Sequence, residues 1–195
     1  VILNDFFDRV VLINLKRRPD RLEKFTERAE AVGLTFERFE AIDARESQMT
    51  PPQACAASHR EVVTQAKADG VGRLFIFEDD ATFSNVFASE CDRIFDALPN
   101  DWQMLYLGSW PHSILPINDC LALTQGTICT HAYGFPAETY DLVIEASLGP
   151  TPIDNELSMR HNSIQTYMAH PAIVTQRPDF SDIRNHEVDY TEFIR

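Results

Sequence analysis

The sequence predicts an α/β fold in which a mainly parallel central sheet is flanked by helices. Three observations carry this. Short, unbroken apolar runs alternate with stretches of helical periodicity along the chain. Two of those runs end abruptly in charged residues, and ligands of open α/β sheets bind outside the carboxyl ends of the strands. The 195 residues are 44% hydrophobic and 24% charged, the balance of one globular domain rather than of a disordered chain.

The elements follow in order. Val10–Leu15 is continuously apolar, as a strand covered on both faces should be. Asp20 and Glu23 have capping-box spacing and open a helix with Leu22, Phe25, Ala29 and Val32 on one face, which Gly33 can end in the left-handed conformation. Phe36–Ala41 reads as a second strand. Ser58 and Glu61 repeat the capping pattern before Val62 and Ala66, and Gly70 marks the stop. Leu74–Phe77 is again a buried strand. A helix carries Phe87, Cys91, Ile94, Phe95 and Leu98 until Pro99 breaks it. Met104–Leu107 and Gly126–Phe135 read as strands, Pro136 starts a helix through Tyr140, Val143 and Ile144, and Ala172–Val174 is a late short strand.

Composition limits the partners. Thirty acidic side chains against 17 basic ones give a net charge of −13, which repels nucleic acid and anionic lipid at long range. The four cysteines include no CxxC pair, so reduced thiols are expected. No apolar run approaches the roughly 20 residues of a membrane span, and no signal-peptide pattern opens the sequence. A soluble, cytoplasmic domain is the expectation.

Chemistry gathers at two strand ends. The first strand runs into Asn14-Leu15-Lys16-Arg17-Arg18-Pro19-Asp20-Arg21, a cationic turn at a helix start that favours phosphate or carboxylate. The Leu74–Phe77 strand runs into Glu78-Asp79-Asp80. Alternation puts Glu78 and Asp80 on one side and Asp79 on the other. Two carboxylates sharing a face repel unless a cation lies between them, and Mg²⁺ or Mn²⁺ takes such oxygen ligands. The plainer reading of the same residues is a solvated acidic loop. His59 reads either as a solvent-facing helix residue or as part of a site. His131 fits a hydrogen-bonded core histidine, and His186, after the last strand, is a candidate further metal ligand.

Ile13–Arg21, Cys55-Ala56-Ala57-Ser58-His59 and Phe75–Ala81, in this order and separation, resemble glycosyltransferase family 25. That family contains bacterial lipopolysaccharide sugar transferases and collagen galactosyltransferases. The resemblance continues through Tyr106-Leu107-Gly108, Ala132-Tyr133-Gly134 and Pro152-Ile153-Asp154, from about Val10 to about Val174. It implies a GT-A type fold over residues 1–195, a single Rossmann-like domain with a nucleotide-sugar half at about 10–110 and an acceptor half at about 111–195. It further implies an inverting hexosyltransferase that uses a UDP-sugar donor, a saccharide or other hydroxyl acceptor, and Mn²⁺ or Mg²⁺. Asn14, Arg18, Arg21, Ser58, His59 and Asp79 would bind donor; Glu78, Asp80 and His186 would hold the metal; Asp154 would be the base. For Asp154 the plainer role is a helix N-cap. Where the family commonly has Gly-Glu-x-Gly before its cysteine, this chain has Pro51-Pro52-Gln53-Ala54. Two alternatives stand beside the transferase: a metal-dependent phosphohydrolase or nucleotidyltransferase using the same acids, and a non-catalytic nucleotide-sugar-binding domain. On this reading Arg21→Ala should weaken diphosphate binding more than folding.

Overall fold

The computed structural model describes residues 2–189 and Phe193. Among these, the central sheet has eight strands: β1 (Arg9–Asn14), β2 (Glu37–Glu40), β3 (Arg73–Glu78), β5 (Met104–Tyr106), β6 (Ser113–Pro116), β7 (Leu121–Gln125), β8 (Ala132–Pro136) and β9 (Thr166–Ala169). Their spatial order is β2-β1-β3-β8-β5-β9-β7-β6. Pairing is parallel through β2-β1-β3 and between β5 and β9, and antiparallel at the other contacts. Helices α1 (Ile2–Phe6), α2 (Pro19–Ala31), α3 (Pro51–Ala68), α4 (Phe87–Ala97), α5 (Tyr140–Ala146) and α6 (Ile153–Ser158) cover it. A second small sheet pairs β4 (Ala81–Phe83) with β10 (Val174–Gln176), and β11 (Asp179–Ser181) pairs with β12 (His186–Val188).

The apolar runs explain themselves once the two faces are followed separately. Val10, Leu12, Phe75 and Phe77 point into a core shared with Phe7, Phe25, Phe87 and Ile94. Val11, Ile13, Leu74 and Ile76 point the other way, onto Val62, Val63 and Tyr133. Side chains alternate across a strand, so a strand with helices on both faces must be apolar at every position. Both β1 and β3 meet that demand, and both lose it at their carboxyl ends.

Three expected boundaries differ. Helix α2 begins at Pro19 with Arg18 at the N-cap and no side-chain cap, so Asp20 and Glu23 do not cap it. Proline suits the first helical position because its missing N–H would have no partner there. Helix α3 starts at Pro51, seven residues before Ser58, and Thr50 N–H donates to Gln53 Oε1 at 2.9 Å in its first turn. Ser58 therefore lies inside the helix, its hydroxyl donating to the Ala54 carbonyl at 2.8 Å and accepting the Ile42 N–H at 2.9 Å. The expected strand Gly126–Phe135 is split, because Gly126 (φ 66°) and Cys129 (φ 76°) take left-handed conformations that no strand accommodates. Only Ala132–Pro136 is extended there. Gly33 and Gly70 do stop their helices at positive φ.

Gly108 fixes how the second sheet meets the first. A Cβ at this position would lie 1.7 Å from the Val174 carbonyl oxygen. Val174 N–H in turn donates to the Leu107 carbonyl at 3.0 Å, so β10 crosses the end of β5 at backbone contact. Because β10 pairs with β4, directly after Asp80, this crossing buttresses the acidic cluster.

Candidate active site

A cleft of about 340 Å³ opens at the carboxyl ends of β1 and β3. Of the residues singled out from sequence, Arg21, Ser58, His59, Glu78, Asp79, Asp80 and Asp154 line it, while Asn14, Arg18 and His186 do not. His186 lies on β12, exposed, opposite Ser181.

The cationic turn is already engaged by carboxylates. Arg17 binds Asp43 at 2.6 Å and Asp182 at 2.7 Å. Arg18 binds Asp182 at 2.8 Å and Asp20 at 2.9 Å. Arg21 is buried and donates to Asp79 Oδ1 at 2.7 Å, while Asn14 Nδ2 donates to Asp79 Oδ2 at 2.7 Å. Asn14, Asp79 and Arg21 thus form a buried triad, of which Arg21 and Asp79 lie in the cleft wall. Burial pushes the Asp79 carboxyl up despite these partners. Arg28 adds bonds to the backbone carbonyls of Asp79 and Ala81, holding the turn of the acidic loop from below.

Glu78 is the last residue of β3 and Asp80 lies in the turn that follows, beyond the reach of strand alternation, and the surroundings of the two carboxylates differ. Glu78 Oε1 accepts the Thr130 hydroxyl at 2.7 Å and lies 3.4 Å from His59 Nε2. Burial raises its pKa, but His59 and Thr130 outweigh burial and leave Glu78 below the usual range. Among the described residues, the Asp80 side chain has only a long hydrogen bond, Gln176 Nε2 to Oδ2 at 3.4 Å, and its buried Oδ1 has no hydrogen-bond partner. Burial and the neighbouring Glu78 charge push Asp80 up to about 7. An unmet carboxylate oxygen beside a second carboxylate is the arrangement that a divalent cation would complete, so these residues fit an ion.

His59 is wholly buried, with Nδ1 and the Tyr133 hydroxyl sharing a hydrogen bond of 2.9 Å. It is not a surface residue. His131 is the core histidine expected, 3.4 Å from the Val174 carbonyl through Nε2, and burial lowers it to about 4. Asp154 sits inside the first turn of α6, where Pro152 is the N-cap, so it does not cap the helix. Its Oδ2 accepts the Cys129 N–H at 3.4 Å, and burial raises its pKa.

Sequence reasoning did not single out Thr130 and Gln176, the partners of Glu78 and Asp80. Nor did it assign Cys55 a role, although its one-turn spacing from His59 places both on one helix face. Among the described residues, Cys55, His59 and Glu78 form a group of donor atoms lying within 4.8 Å of one another.

The family model described as glycosyltransferase family 25 (LPS biosynthesis protein) matches residues 7–129, well over half of the chain. The chain belongs to glycosyltransferase family 25. The match contains the cationic turn, Cys55–His59 and the acidic cluster, and it ends before Ala132-Tyr133-Gly134 and Pro152-Ile153-Asp154. A family 25 member of Drosophila melanogaster is 27% identical over 127 residues, covering 52% of this chain and 21% of that protein. The inactive glycosyltransferase 25 family member 3 of Homo sapiens is 23% identical over 129 residues, covering 52% and 22%. The chain therefore spans about a fifth of the length of these curated relatives. In fold it is similar to a glycosyltransferase involved in the glycosylation of the major capsid of PBCV-1, with TM-score 0.55 at 12% identity over 82% of this chain and 79% of that one. A197 from STIV is similar too, with TM-score 0.53 at 8% identity over 92% and 93%. The α/β fold is thus similar to that of a solved glycosyltransferase. Among the described residues no helix is long and apolar enough to cross a membrane.

Proposed function

We propose that this family 25 domain is an inverting glycosyltransferase that moves a hexose from a UDP-sugar to a saccharide or other hydroxyl acceptor. The observation that carries the reading is the unmet Asp80 carboxylate beside Glu78 in the cleft. Asp80 with Glu78 would hold Mn²⁺ or Mg²⁺, which as a Lewis acid stabilises a departing diphosphate. Thr130 and Gln176 orient the two carboxylates, and the Asn14–Asp79–Arg21 triad fixes the backbone between them. Arg17 and Arg21 place positive charge on the same cleft wall. Asp154 lines the cleft, burial raises its pKa and so strengthens it as a base, and it takes the proton of the acceptor hydroxyl during a single displacement.

The test is a thermal-shift and turnover panel of nucleotide-sugars with Mn²⁺. UDP-sugars should stabilise the protein by about 2.7 kcal/mol at 100 times their Kd, more than adenine or cytosine nucleotides do, and release UDP with an acceptor present. Equal shifts with every nucleotide would remove the uridine assignment. Binding without turnover on any acceptor would favour a non-catalytic binding domain. Asp154→Asn should leave UDP affinity in place and lower kcat by about 10²–10⁴-fold; unchanged kcat excludes it as the base.

A further inference from the structure

The cleft holds a second set of donors whose chemistry differs from that of the carboxylate pair. We propose that Cys55, His59 and Glu78 form a seat for a thiophilic divalent ion such as Zn²⁺, distinct from the pair Glu78–Asp80. Cys55 and His59 lie one turn apart in α3, and Glu78 ends β3 below them. Their donor atoms lie within 4.8 Å of one another.

Two features show that the set is aimed at a ligand. His59 is fully buried, yet among the described residues its Nε2 has no hydrogen-bond partner. The direction of the Nδ1–Tyr133 hydrogen bond depends on the tautomer. Ion binding selects the one in which Nδ1–H donates to the Tyr133 hydroxyl and Nε2 turns its lone pair to the seat, displacing the Nε2–H that otherwise faces Glu78. The second feature is metric. His59 Nε2 and Glu78 Oε1 stand 3.4 Å apart. Two ligands each about 2.1 Å from a tetrahedral zinc ion are separated by about 3.4 Å.

The donor types set the selectivity. Sulfur, imidazole and one carboxylate suit zinc and its neighbours, whereas Mg²⁺ and Mn²⁺ prefer all-oxygen sites. Three protein ligands leave a fourth position open, as in catalytic rather than structural zinc sites. Asp80 and Asp154 add negative potential around Cys55. Burial and these charges keep the free thiol protonated, so ion binding replaces the S–H bond with an S–metal bond and releases one proton per ion. Because Glu78 belongs to both sets, a thiophilic ion competes with the carboxylate pair for it.

This seat does not depend on sugar transfer, and its test is spectroscopic. Chelator-stripped chain is titrated with Co²⁺. One equivalent should produce a thiolate-to-cobalt charge-transfer band in the near ultraviolet together with the strong visible bands of four-coordinate cobalt, and Zn²⁺ should abolish both. Cys55→Ser should lose the near-ultraviolet band, whereas Cys129→Ser, which changes the other cleft thiol, should keep it. Tyr133→Phe should weaken binding about 10-fold or more. X-ray absorption at the zinc edge of the unmutated chain, which needs no variant to fold, should show a sulfur neighbour at about 2.3 Å. No sulfur neighbour, no thiolate band, or a band that survives Cys55→Ser overturns the proposal. Failure of UDP-sugar turnover leaves these readouts untouched, so the two assignments fail separately.

Discussion

Asp80→Asn is expected to make the metal-free protein more stable above neutral pH and to slow sugar transfer on the order of 10³-fold. The two effects share a cause. Asp80 is held at about 7 because it is buried beside Glu78 with one oxygen unmet. In the unfolded chain an aspartate titrates near 3.9. Between these values the native state binds a proton that the unfolded state has released, so metal-free stability rises as pH falls from about 7 toward about 4 and is lost as pH climbs through 7. Asparagine keeps the shape and removes the charge. Its advantage should be on the order of a few kcal/mol at about pH 8 and vanish near pH 4. Urea unfolding in EDTA at both ends of that range measures it. Transfer should fall in parallel, because about 4 kcal/mol of leaving-group stabilisation corresponds to roughly 10³ in rate. An active Asn variant, or a wild type whose metal-free stability is flat across this range, refutes the metal assignment.

Arg21→Ala should cost the fold about 3–5 kcal/mol, the loss typical of a buried charge stripped of its partner. The sequence alone suggested the opposite emphasis, with binding hurt more than folding. The structure reverses it, because the Arg21 guanidinium is buried in the cleft wall against Asp79, and among the described residues removing it leaves a buried carboxylate bonded only by Asn14. At roughly 2–4 °C per kcal/mol for a chain of this size, the melting temperature should fall by about 10 °C. Arg17→Ala is the comparison. The Arg17 side chain is 27% exposed against 10% for Arg21, and Asp182 keeps Arg18 as a second partner, so the loss should be smaller. Equal destabilisation of the two variants would show that the triad has no special weight.

What could be read without the structure depended on how local the cause was. β1 and β3 were legible because two covered faces demand unbroken apolarity, whereas the alternation expected through Glu78 and Asp80 stops at Glu78, where β3 ends and a turn begins. Helix starts were less so. Ser58 carries a capping signature but spends its hydroxyl on Ala54 and Ile42, while the true start uses Thr50 and two prolines. α1 is too short to show periodicity and is held by Leu3 and Phe7 in the core. Site membership was hardest. That Arg21 meets Asp79 is a contact 58 residues apart in sequence, and that His59 meets Tyr133 spans 74. Neither distance leaves a local trace. His186 looked like a ligand by its place after the last strand, yet on β12 it is exposed and outside the cleft lining, although Val188 of the same strand belongs to it.

The hairpin of β11 and β12 has a consequence for how salt acts on this protein. Asp182 occupies Arg17 and Arg18, and Asp179 lies beside Arg21 and pairs with Arg177. The arginines thus carry tethered counter-ions supplied by the chain itself. On the proposed reading, a diphosphate arriving there would exchange with these carboxylates rather than with free anions from solution. Ion release into bulk is what makes most anion sites salt-sensitive. Here the exchange is internal, so diphosphate affinity should change little with ionic strength. Freeing the arginines with Asp182→Asn should both tighten binding in dilute buffer and restore its dependence on salt.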